Sequence, residues 1–301
     1  MFFLKVILII AIVVFVLYFL MIMPRMTGKP DKAPFVNKLY AHRGLFDNSS
    51  DAPENSMKAF VKAVEAGYGI ELDVQLTSDN IPVVFHDFTL ARVARYEDGK
   101  APSDAVHNPD GSIGVKGKVC DYTYEELLQF HLMNSDEKIP LFSEFLKTVD
   151  GRAPLIVELK IEWTDLSVCP IADELLSRYK GRYIIESFNP LGLIWYRRHH
   201  KDVMRGQLSD EFRKEEPGLY RTPTYFVLAN LLLNFLTKPD FIAYNHKYTN
   251  SLSRRLCCGF YGNVAAAWTI KSQKDLDMCR KHYDIYIFDS FIPDSSPLIN
   301  G

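Results

Sequence analysis

Charged side chains recur at the ends of apolar segments in this chain of 301 residues. They occur in five short runs of sequence, 40–44, 52–56, 70–74, 83–87 and 157–160. An apolar strand does not need charged groups in order to pack, so their repeated placement at predicted strand ends indicates one shared site. Among the side chains in these runs are two histidines, three carboxylates, an arginine and a lysine. Those groups suffice to cleave a phosphodiester with the help of a bound metal ion.

The carboxylates have the spacing of a metal site. Glu71 and Asp73 are two residues apart, which on a strand points both side chains to one face, about 7 Å apart along the backbone. Two like charges this close are unfavourable unless a cation neutralises them. Oxygen ligands suit a hard ion, Mg²⁺ or Ca²⁺, and Glu158 on a separate strand can supply the third carboxylate. Lys160 would share the face of Glu158 and could meet a phosphate oxygen.

His42 and His86 are the predicted general acid and base, because imidazole titrates near working pH. One would take a proton from the attacking hydroxyl or water, and the other would protonate the leaving alkoxide. Arg43 offers a guanidinium for phosphate oxygens. Zinc bound by the histidines is the alternative, but the sequence has no His-x-x-x-His or Cys-x-x-Cys spacing to support it.

Each feature alone has an ordinary structural explanation. A Glu-x-Asp pair on a strand is more often a solvated face, Glu158 and Lys160 could be a simple ion pair, and most His-Arg-Gly triplets are surface loops. The joint pattern in this order is far more specific than any of its parts.

The elements that must position these residues alternate between strands and helices from Leu39 onward, as in an α/β fold. The first helix is expected to begin at Asn55 or Ser56 and to run to Glu65. Further strands are predicted at 155–160, 182–187, 203–207, 240–244, 263–268 and 285–288. Helices are predicted at 124–133, 143–149, 171–179, 191–199 and 274–282.

Two regions depart from this alternation. Only residues 75–82 separate Asp73 from the next strand, too few for a parallel crossover, so a hairpin is expected there. A turn centred on Ser78-Asp79-Asn80 would make Asp73 and His86 cross-strand neighbours. Residues 88–122 contain several turn sequences and few apolar residues, which predicts a long insertion near the substrate mouth.

The amino terminus predicts a membrane anchor. An uncharged apolar segment from Val6 to Met23 is just long enough to cross a bilayer as a helix. A cleaved signal peptide is the alternative, but bulky residues stand where a cleavage site needs small ones. The basic residues after the segment favour a single-pass protein of the cell membrane with its larger part on the cytoplasmic side. Five cysteines without paired spacing also fit a reducing compartment.

A second apolar run, 225–236, contains no charge and is too short to span a bilayer. It has two interpretations, a buried helix of the barrel or a flap that dips into the membrane beside the site. The net charge of −2 gives no indication of nucleic-acid binding.

Taken together, the motifs resemble the glycerophosphodiester phosphodiesterase family over roughly residues 39–290. The resemblance rests on Ala41-His42-Arg43-Gly44, Pro53-Glu54-Asn55-Ser56, Glu71-Leu72-Asp73-Val74, Thr77-x-Asp79, His86-Asp87, Glu158-Leu159-Lys160, Ser187-Phe188 and Trp268-Thr269. It implies a TIM-type (β/α) barrel, irregular at the second and third strands, that hydrolyses glycerophosphodiesters to glycerol 3-phosphate and an alcohol with a divalent metal.

Matched residue by residue, the family's acid/base histidines fall on His42 and His86, and its phosphate-binding cations on Arg43 and Lys160. The metal carboxylates fall on Glu71, Asp73 and Glu158. Glu54 and Asn55 occupy the motif that supports the site, with a contact to the metal left open. Phe188 and Trp268 are expected to wall the glycerol pocket, although core packing explains them equally well.

The family mechanism uses the substrate's neighbouring glycerol hydroxyl as first nucleophile, through a cyclic phosphate that water then opens. One departure concerns the last strand, where Asp289 is kept but larger residues replace the family's small ones. The alternatives are a phospholipase-type enzyme acting on intact membrane lipid head groups and a catalytically lapsed, membrane-bound binding module. The expected organisation is an anchor (1–23), a linker (24–38) and a barrel (39–301) with the insertion at about 88–122.

Overall fold

A closed parallel barrel forms the body of the computed structural model, which describes residues 2–97, 99–212 and 222–294. The first and last strands pair with each other, and the first also pairs with the second, so the sheet has no open edge on that side. The predicted TIM-type barrel is therefore confirmed. Its eight parallel strands, numbered along the chain, are β1 (Lys38–His42), β2 (Gly69–Leu76), β3 (Leu155–Leu159), β4 (Tyr183–Ser187), β5 (Arg205–Ser209), β6 (Phe241–Asn245), β7 (Val264–Ile270) and β8 (Ile285–Phe288).

Helices connect most of these strands. The longer ones are Met57–Glu65, Phe142–Val149, Val168–Arg178, Pro190–His199, Pro223–Ala229 and Gln273–Cys279, and the short ones are Tyr124–Leu127, Asn234–Thr237 and Leu252–Arg255. The first of them begins where expected, because Ser56 accepts a hydrogen bond from the Ala59 amide and caps it. The helix predicted over 124–133 is wrong in extent, since it ends at Leu127 and a strand, His131–Leu132, follows.

The short connection after β2 is a hairpin, as predicted, with strand Pro82–Val84 antiparallel to β2. Its register differs by one residue from the prediction, because the Phe85 amide, not a group of His86, pairs with the Asp73 carbonyl at 3.0 Å. The loop is the predicted one, residues 78–80, and a three-residue loop centred on Asp79 places Phe85, not His86, opposite Asp73. It is closed by the Thr77 amide donating to the Ile81 carbonyl, and one of its residues has a left-handed backbone conformation.

The segment after this hairpin forms a small antiparallel sheet. Its strands are Ala94–Arg95, Val106–His107, Ile113–Gly114 and His131–Leu132, so the sheet extends past residue 122. Its buried apolar residues pack with Val83 and Phe85 of the hairpin into a cluster of their own. The segment is therefore fixed to the barrel at β2, beside the carboxyl ends of the strands.

The amino-terminal helix, Phe2–Ile22, is long and apolar enough to cross a membrane. Its last turn packs on the outer wall of the barrel, where Ile22 is buried among Leu231, Ile242, Tyr244 and Cys257. The chain from 24 to 38 then follows the barrel surface, with the Arg25 amide bonded to the Pro239 carbonyl at 3.1 Å.

Candidate active site

Three carboxylates meet at the carboxyl ends of β2 and β3, the edge of a TIM barrel that carries active sites. Glu71, Asp73 and Glu158 are all buried, and one carboxylate oxygen from each lies within 4.8 Å of the others. Strand register brings them together, because Asp73 is directly opposite Glu158. His42 is likewise opposite Glu71, where β1 and β2 pair.

The electrostatic environment shifts the pKa values of these three carboxylates in different directions. Burial, followed by the charges of Asp73, Glu186 and Glu158, raises the pKa of Glu71 well above its ordinary value. Burial also raises the pKa of Glu158, despite the attraction of Lys160. Burial alone would raise the pKa of Asp73 too, but the cationic neighbours His86, Lys160 and Arg43 outweigh it and lower that pKa. One carboxylate is thus held ionised while its neighbours resist ionisation.

The structure places the two predicted phosphate-binding cations on either side of Asp73. Lys160 Nζ lies 3.6 Å from Asp73 Oδ1 and 2.8 Å from Glu158 Oε1, and Arg43 Nε lies 3.8 Å from Asp73 Oδ2. Arg43 has a left-handed backbone (φ 58°), and its amide points back to Glu71, donating to the carbonyl and side chain of that residue. The cations therefore contact the carboxylates directly, and a phosphate entering the site would compete for them.

Glu54 and Asn55 fix the positions of Arg43 and Asp73 through hydrogen bonds. The buried Glu54 carboxylate accepts hydrogen bonds from Arg43 (2.7 Å), from Arg92 through two nitrogens (2.8 and 2.6 Å) and from Asn48. Asn55 Nδ2 donates to Asp73 Oδ2 at 3.0 Å. Burial opposes ionisation of Glu54, but Arg92 and Arg43 outweigh it and lower the pKa from 4.5 to about 2.

Replacing Glu54 by alanine is expected to reduce the free energy of unfolding at pH 7 by about 3 kcal/mol, because Arg43 stays buried without its carboxylate. A depressed carboxyl pKa contributes stability above the ordinary value near 4.5, and that stability is lost as pH falls toward 2. Urea unfolding at pH 7 and pH 3 should therefore show a smaller difference from wild type at the lower pH. Glu174→Ala, which removes an exposed pair with Arg178, is the control and should change little. A loss of the same size at both pH values would contradict the ion-pair explanation.

Each predicted acid/base histidine is held by an aspartate. His42 Nδ1 lies 2.9 Å from Asp289 Oδ2, and its Nε2 lies 3.9 Å from Glu71 Oε2. Burial and the charge of Arg43 lower the pKa of His42 to about 4, against the opposing effect of Asp289. A neutral His42 with Nδ1 hydrogen-bonded to a carboxylate keeps Nε2 as a proton acceptor.

On the other side of the carboxylates, His86 Nδ1 lies 2.5 Å from Asp87 Oδ1. Arg92 in turn donates to Asp87 through Nε at 2.6 Å. The same Arg92 also binds Glu54, so it links the support of Arg43 to the support of His86. The two imidazoles are thus fixed by separate carboxylate partners.

Three further residues belong to this site although no role was predicted for them from sequence, namely Glu186, Arg92 and Asp87. Glu186 is at the end of β4, opposite Glu158 in register, and is 1% exposed, with no hydrogen bond to its Oε2 from any residue that the structure describes. Burial and the nearby Glu158 and Asp73 raise its pKa well above the ordinary value. Glu71 and Glu158 were predicted as site residues because each is an acid near the end of a strand. The same criterion predicts Glu186 as a site residue. Arg92 lies in the insertion, where the sequence offered no signal.

Phe188 and Trp268 meet across the barrel mouth from β4 and β7. Their rings are perpendicular with centroids 5.5 Å apart, and both side chains are half-buried. Trp268 Nε1 has no hydrogen-bond partner among the described residues. The pair forms an aromatic surface beside the polar strand ends rather than part of the deep core.

A closed barrel with buried acids and aspartate-held histidines at its carboxyl-terminal edge has the architecture of a TIM-barrel enzyme. A model of the Glycerophosphoryl diester phosphodiesterase family matches residues 42–286. The chain belongs to that family.

Among curated relatives, "Glycerophosphodiester phosphodiesterase 1" of Mus musculus is 36% identical over 292 residues, covering 85% of this chain and 79% of that protein. "Glycerophosphodiester phosphodiesterase" of Bacillus altitudinis is 35% identical over 134 residues, 42% of this chain. The chain spans only 46% of the length of that Bacillus protein. A solved phosphodiesterase of Oleispira antarctica in complex with the product sn-glycerol-3-phosphate has the same fold, with a TM-score of 0.62, 20% identity, and coverage of 85% of this chain and 94% of that one.

Proposed function

We propose that this chain hydrolyses glycerophosphodiesters to glycerol 3-phosphate and an alcohol, using a divalent cation held by Glu71, Asp73 and Glu158. The observation that carries the proposal is the meeting of these three buried carboxylates within 4.8 Å. Family membership supports the choice of reaction.

The donor set fits a hard cation, Mg²⁺ or Ca²⁺. All three ligand groups are carboxylates, and within the described part of the chain the buried Asp73 Oδ1 has no hydrogen bond, so it has capacity for a metal. A cation here would also relieve the repulsion that raises the pKa of Glu71. When bound, it would polarise the phosphoryl group and stabilise the charge that develops on it.

The remaining steps belong to side chains of this protein. His42 Nε2 would accept the proton of the attacking hydroxyl, since burial keeps His42 neutral and Asp289 fixes its orientation. His86 would donate a proton to the leaving alkoxide, and the two would exchange roles when water opens the cyclic phosphate. Arg43 and Lys160 would turn from the carboxylates toward the phosphate oxygens. Phe188 and Trp268 would bound the glycerol part of the substrate.

A diester that lacks the neighbouring hydroxyl should be a poor substrate. Removing this hydroxyl forces water to attack directly, which is expected to lower kcat on the order of 100-fold or more, since the intramolecular nucleophile is lost. The measurement compares a glycerophosphodiester with its 2-deoxy analogue at saturating concentration. Equal rates would rule out the cyclic route while leaving metal-dependent hydrolysis intact.

We also propose that Phe2–Ile22 anchors the chain in the cell membrane, with the barrel on the cytoplasmic side. The length and composition of the helix support an anchor, and the five free cysteines fit a reducing compartment. The anchor also favours a second candidate function, the cleavage of intact membrane lipid head groups.

One assay separates the candidates. Release of glycerol 3-phosphate from glycerophosphodiesters, abolished by a chelator and restored by Mg²⁺ or Ca²⁺, would support the first proposal. Turnover of intact phospholipid alone would favour the second, and no turnover of either would indicate a lapsed enzyme that only binds.

A further inference from the structure

The last turn of the amino-terminal helix is fixed to the barrel rather than tethered to it. Tyr18 hydrogen-bonds to Ser253 at 2.7 Å, and the Tyr261 hydroxyl donates to the Phe19 carbonyl at 2.9 Å. Asn234 Nδ2 donates to the Ile22 carbonyl at 3.1 Å. Two segments of the barrel, 222–238 and 252–261, therefore grip the helix where it leaves the domain.

The length of the helix leaves no room for this turn outside a bilayer. At about 1.5 Å per residue, its 21 residues extend about 31 Å, which is close to the roughly 30 Å hydrocarbon thickness. A helix that spans the membrane must therefore use its last turn too. The turn from Tyr18 to Ile22 covers about 6 Å, and side chains that surround it lie at the same depth.

Those surrounding side chains are apolar and exposed. Phe260 is 68% exposed although its ring packs edge-on against Phe19, with centroids 5.5 Å apart, and Leu252 is 61% exposed. Phe235 and Leu236 are each 39% exposed. We call these four residues the collar. The segments that carry them contain no acidic residue, and their cations that reach the surface are Lys238 and the exposed Arg255, a composition that suits a lipid surface.

The helix also has a direction relative to the barrel. At its carboxyl end, Arg25 bonds to Pro239, just before β6 begins. At Tyr18 it contacts Ser253, which in turn bonds to Asn230 at 3.4 Å. The neighbouring Ala229 carbonyl accepts from Tyr244, near the carboxyl end of β6. The helix therefore climbs the outer wall from the amino ends of the strands to their carboxyl ends, and it leaves the barrel on the side of the mouth.

We infer that the barrel rests on the bilayer with its mouth toward the lipid and its collar inserted beside the anchoring helix. The inference depends on the proposed anchoring and is independent of the reaction that the site performs. It means that substrate reaches the carboxylates from the membrane surface.

The test uses the full chain reconstituted in phosphatidylcholine–phosphatidylglycerol vesicles that contain lipids brominated on their acyl chains, which quench nearby tryptophan. The variants are Phe260→Trp and Leu252→Trp in the collar, Met26→Trp beyond the carboxyl end of the helix, and Glu174→Trp on a distant helix. All four positions are exposed in the structure. The parent protein gives the background emission of its own tryptophans. Its retention on the vesicles after an alkaline wash shows that the helix anchors the chain.

The expected result is a loss of the added emission for the two collar variants and no loss for Glu174→Trp. Leu252→Trp should also be quenched more strongly than Met26→Trp by bromines deep in the chain. Unquenched collar variants in a protein that remains with the vesicles would overturn the insertion, and stronger quenching at Met26 than at Leu252 would overturn the orientation. Release of the parent protein by the wash would show that the helix does not anchor the chain, and it would therefore overturn both the insertion and the orientation. Phosphodiester cleavage, assayed separately, would be unaffected by any of these outcomes.

Discussion

Replacing His42 by alanine is expected to lower kcat for glycerophosphodiester cleavage by about 10²–10⁴-fold, the usual contribution of a general base. Its Nε2 is the proposed proton acceptor, and Asp289 would orient it through the 2.9 Å contact with Nδ1. Because the imidazole is a proton carrier rather than a substrate anchor, KM should change much less. Glycerol 3-phosphate release under saturating substrate gives the measurement. His107→Ala, at an exposed position in the small sheet, is the matched control and should retain wild-type activity.

A companion variant separates the roles of the two histidines. His86→Ala should be severely impaired with a choline or ethanolamine leaving group, which needs a proton, yet much less with p-nitrophenol, which leaves as an anion. The His42→Ala defect should persist with both, because the attacking hydroxyl still has to lose its proton. The reverse pattern would exchange the two assignments, and full activity of His42→Ala with every substrate would refute them. Circular dichroism and a melting curve for each variant would show that the fold is intact.

The carboxylate cluster follows from local rules of the sequence. Glu71 and Asp73 share a face because side chains alternate along a strand, and Glu158 joins them because β2 and β3 are neighbours in a parallel barrel. The polar turn residues Ser78, Asp79 and Asn80 likewise predicted the hairpin. The predicted pairing was one residue off, because a three-residue loop centred on Asp79 places Phe85, and not His86, opposite Asp73.

Contacts between distant parts of the chain could not be predicted in this way. His42 and Asp289 are 247 residues apart in sequence and meet only because β1 and β8 close the barrel. Arg92 binds both Glu54 and Asp87 from an insertion whose path over the barrel depends on its own small core. The predicted barrel implied that the first and last strands would pair. It did not specify which loop residues would reach the site.

The metal response of the protein gives the second large effect. Wild-type protein at a metal concentration of 100 times Kd should gain about 2.7 kcal/mol of stability, which corresponds to a rise in Tm of about 4 °C for a chain of this size. Glu71→Gln and Asp73→Asn should each abolish that rise and reduce catalysis to background, because each removes a proposed ligand. Calorimetry with Mg²⁺, with Ca²⁺ and with a chelator measures the response. A wild-type rise preserved in either variant would contradict the assignment of that residue as a ligand.

Without metal, the same two substitutions should have opposite effects, although the residues are two positions apart on one strand. The pKa of Glu71 is raised in the folded protein, so its ionised carboxylate costs stability as pH rises above the ordinary value near 4.5. Glu71→Gln should therefore melt higher than wild type at pH 7.

The pKa of Asp73 is lowered by His86, Lys160 and Arg43 against the effect of burial. Its charge therefore adds stability above the ordinary value of 3.8. That stability is lost only as pH falls through the lower folded pKa. Asp73→Asn should therefore melt lower at pH 7, since Lys160 and Arg43 each lose one of the two carboxylates that they contact. The Glu71→Gln difference should shrink as pH approaches 4, whereas the Asp73→Asn difference should persist there, because the stabilisation from Asp73 is lost only below its ordinary value of 3.8. Melting curves in chelator at pH 4 and pH 7 measure both. If both variants shift Tm in the same direction at pH 7, the cluster does not contain one ionised carboxylate and two carboxyl groups with raised pKa values. The physical reason for expecting a cation there is then lost.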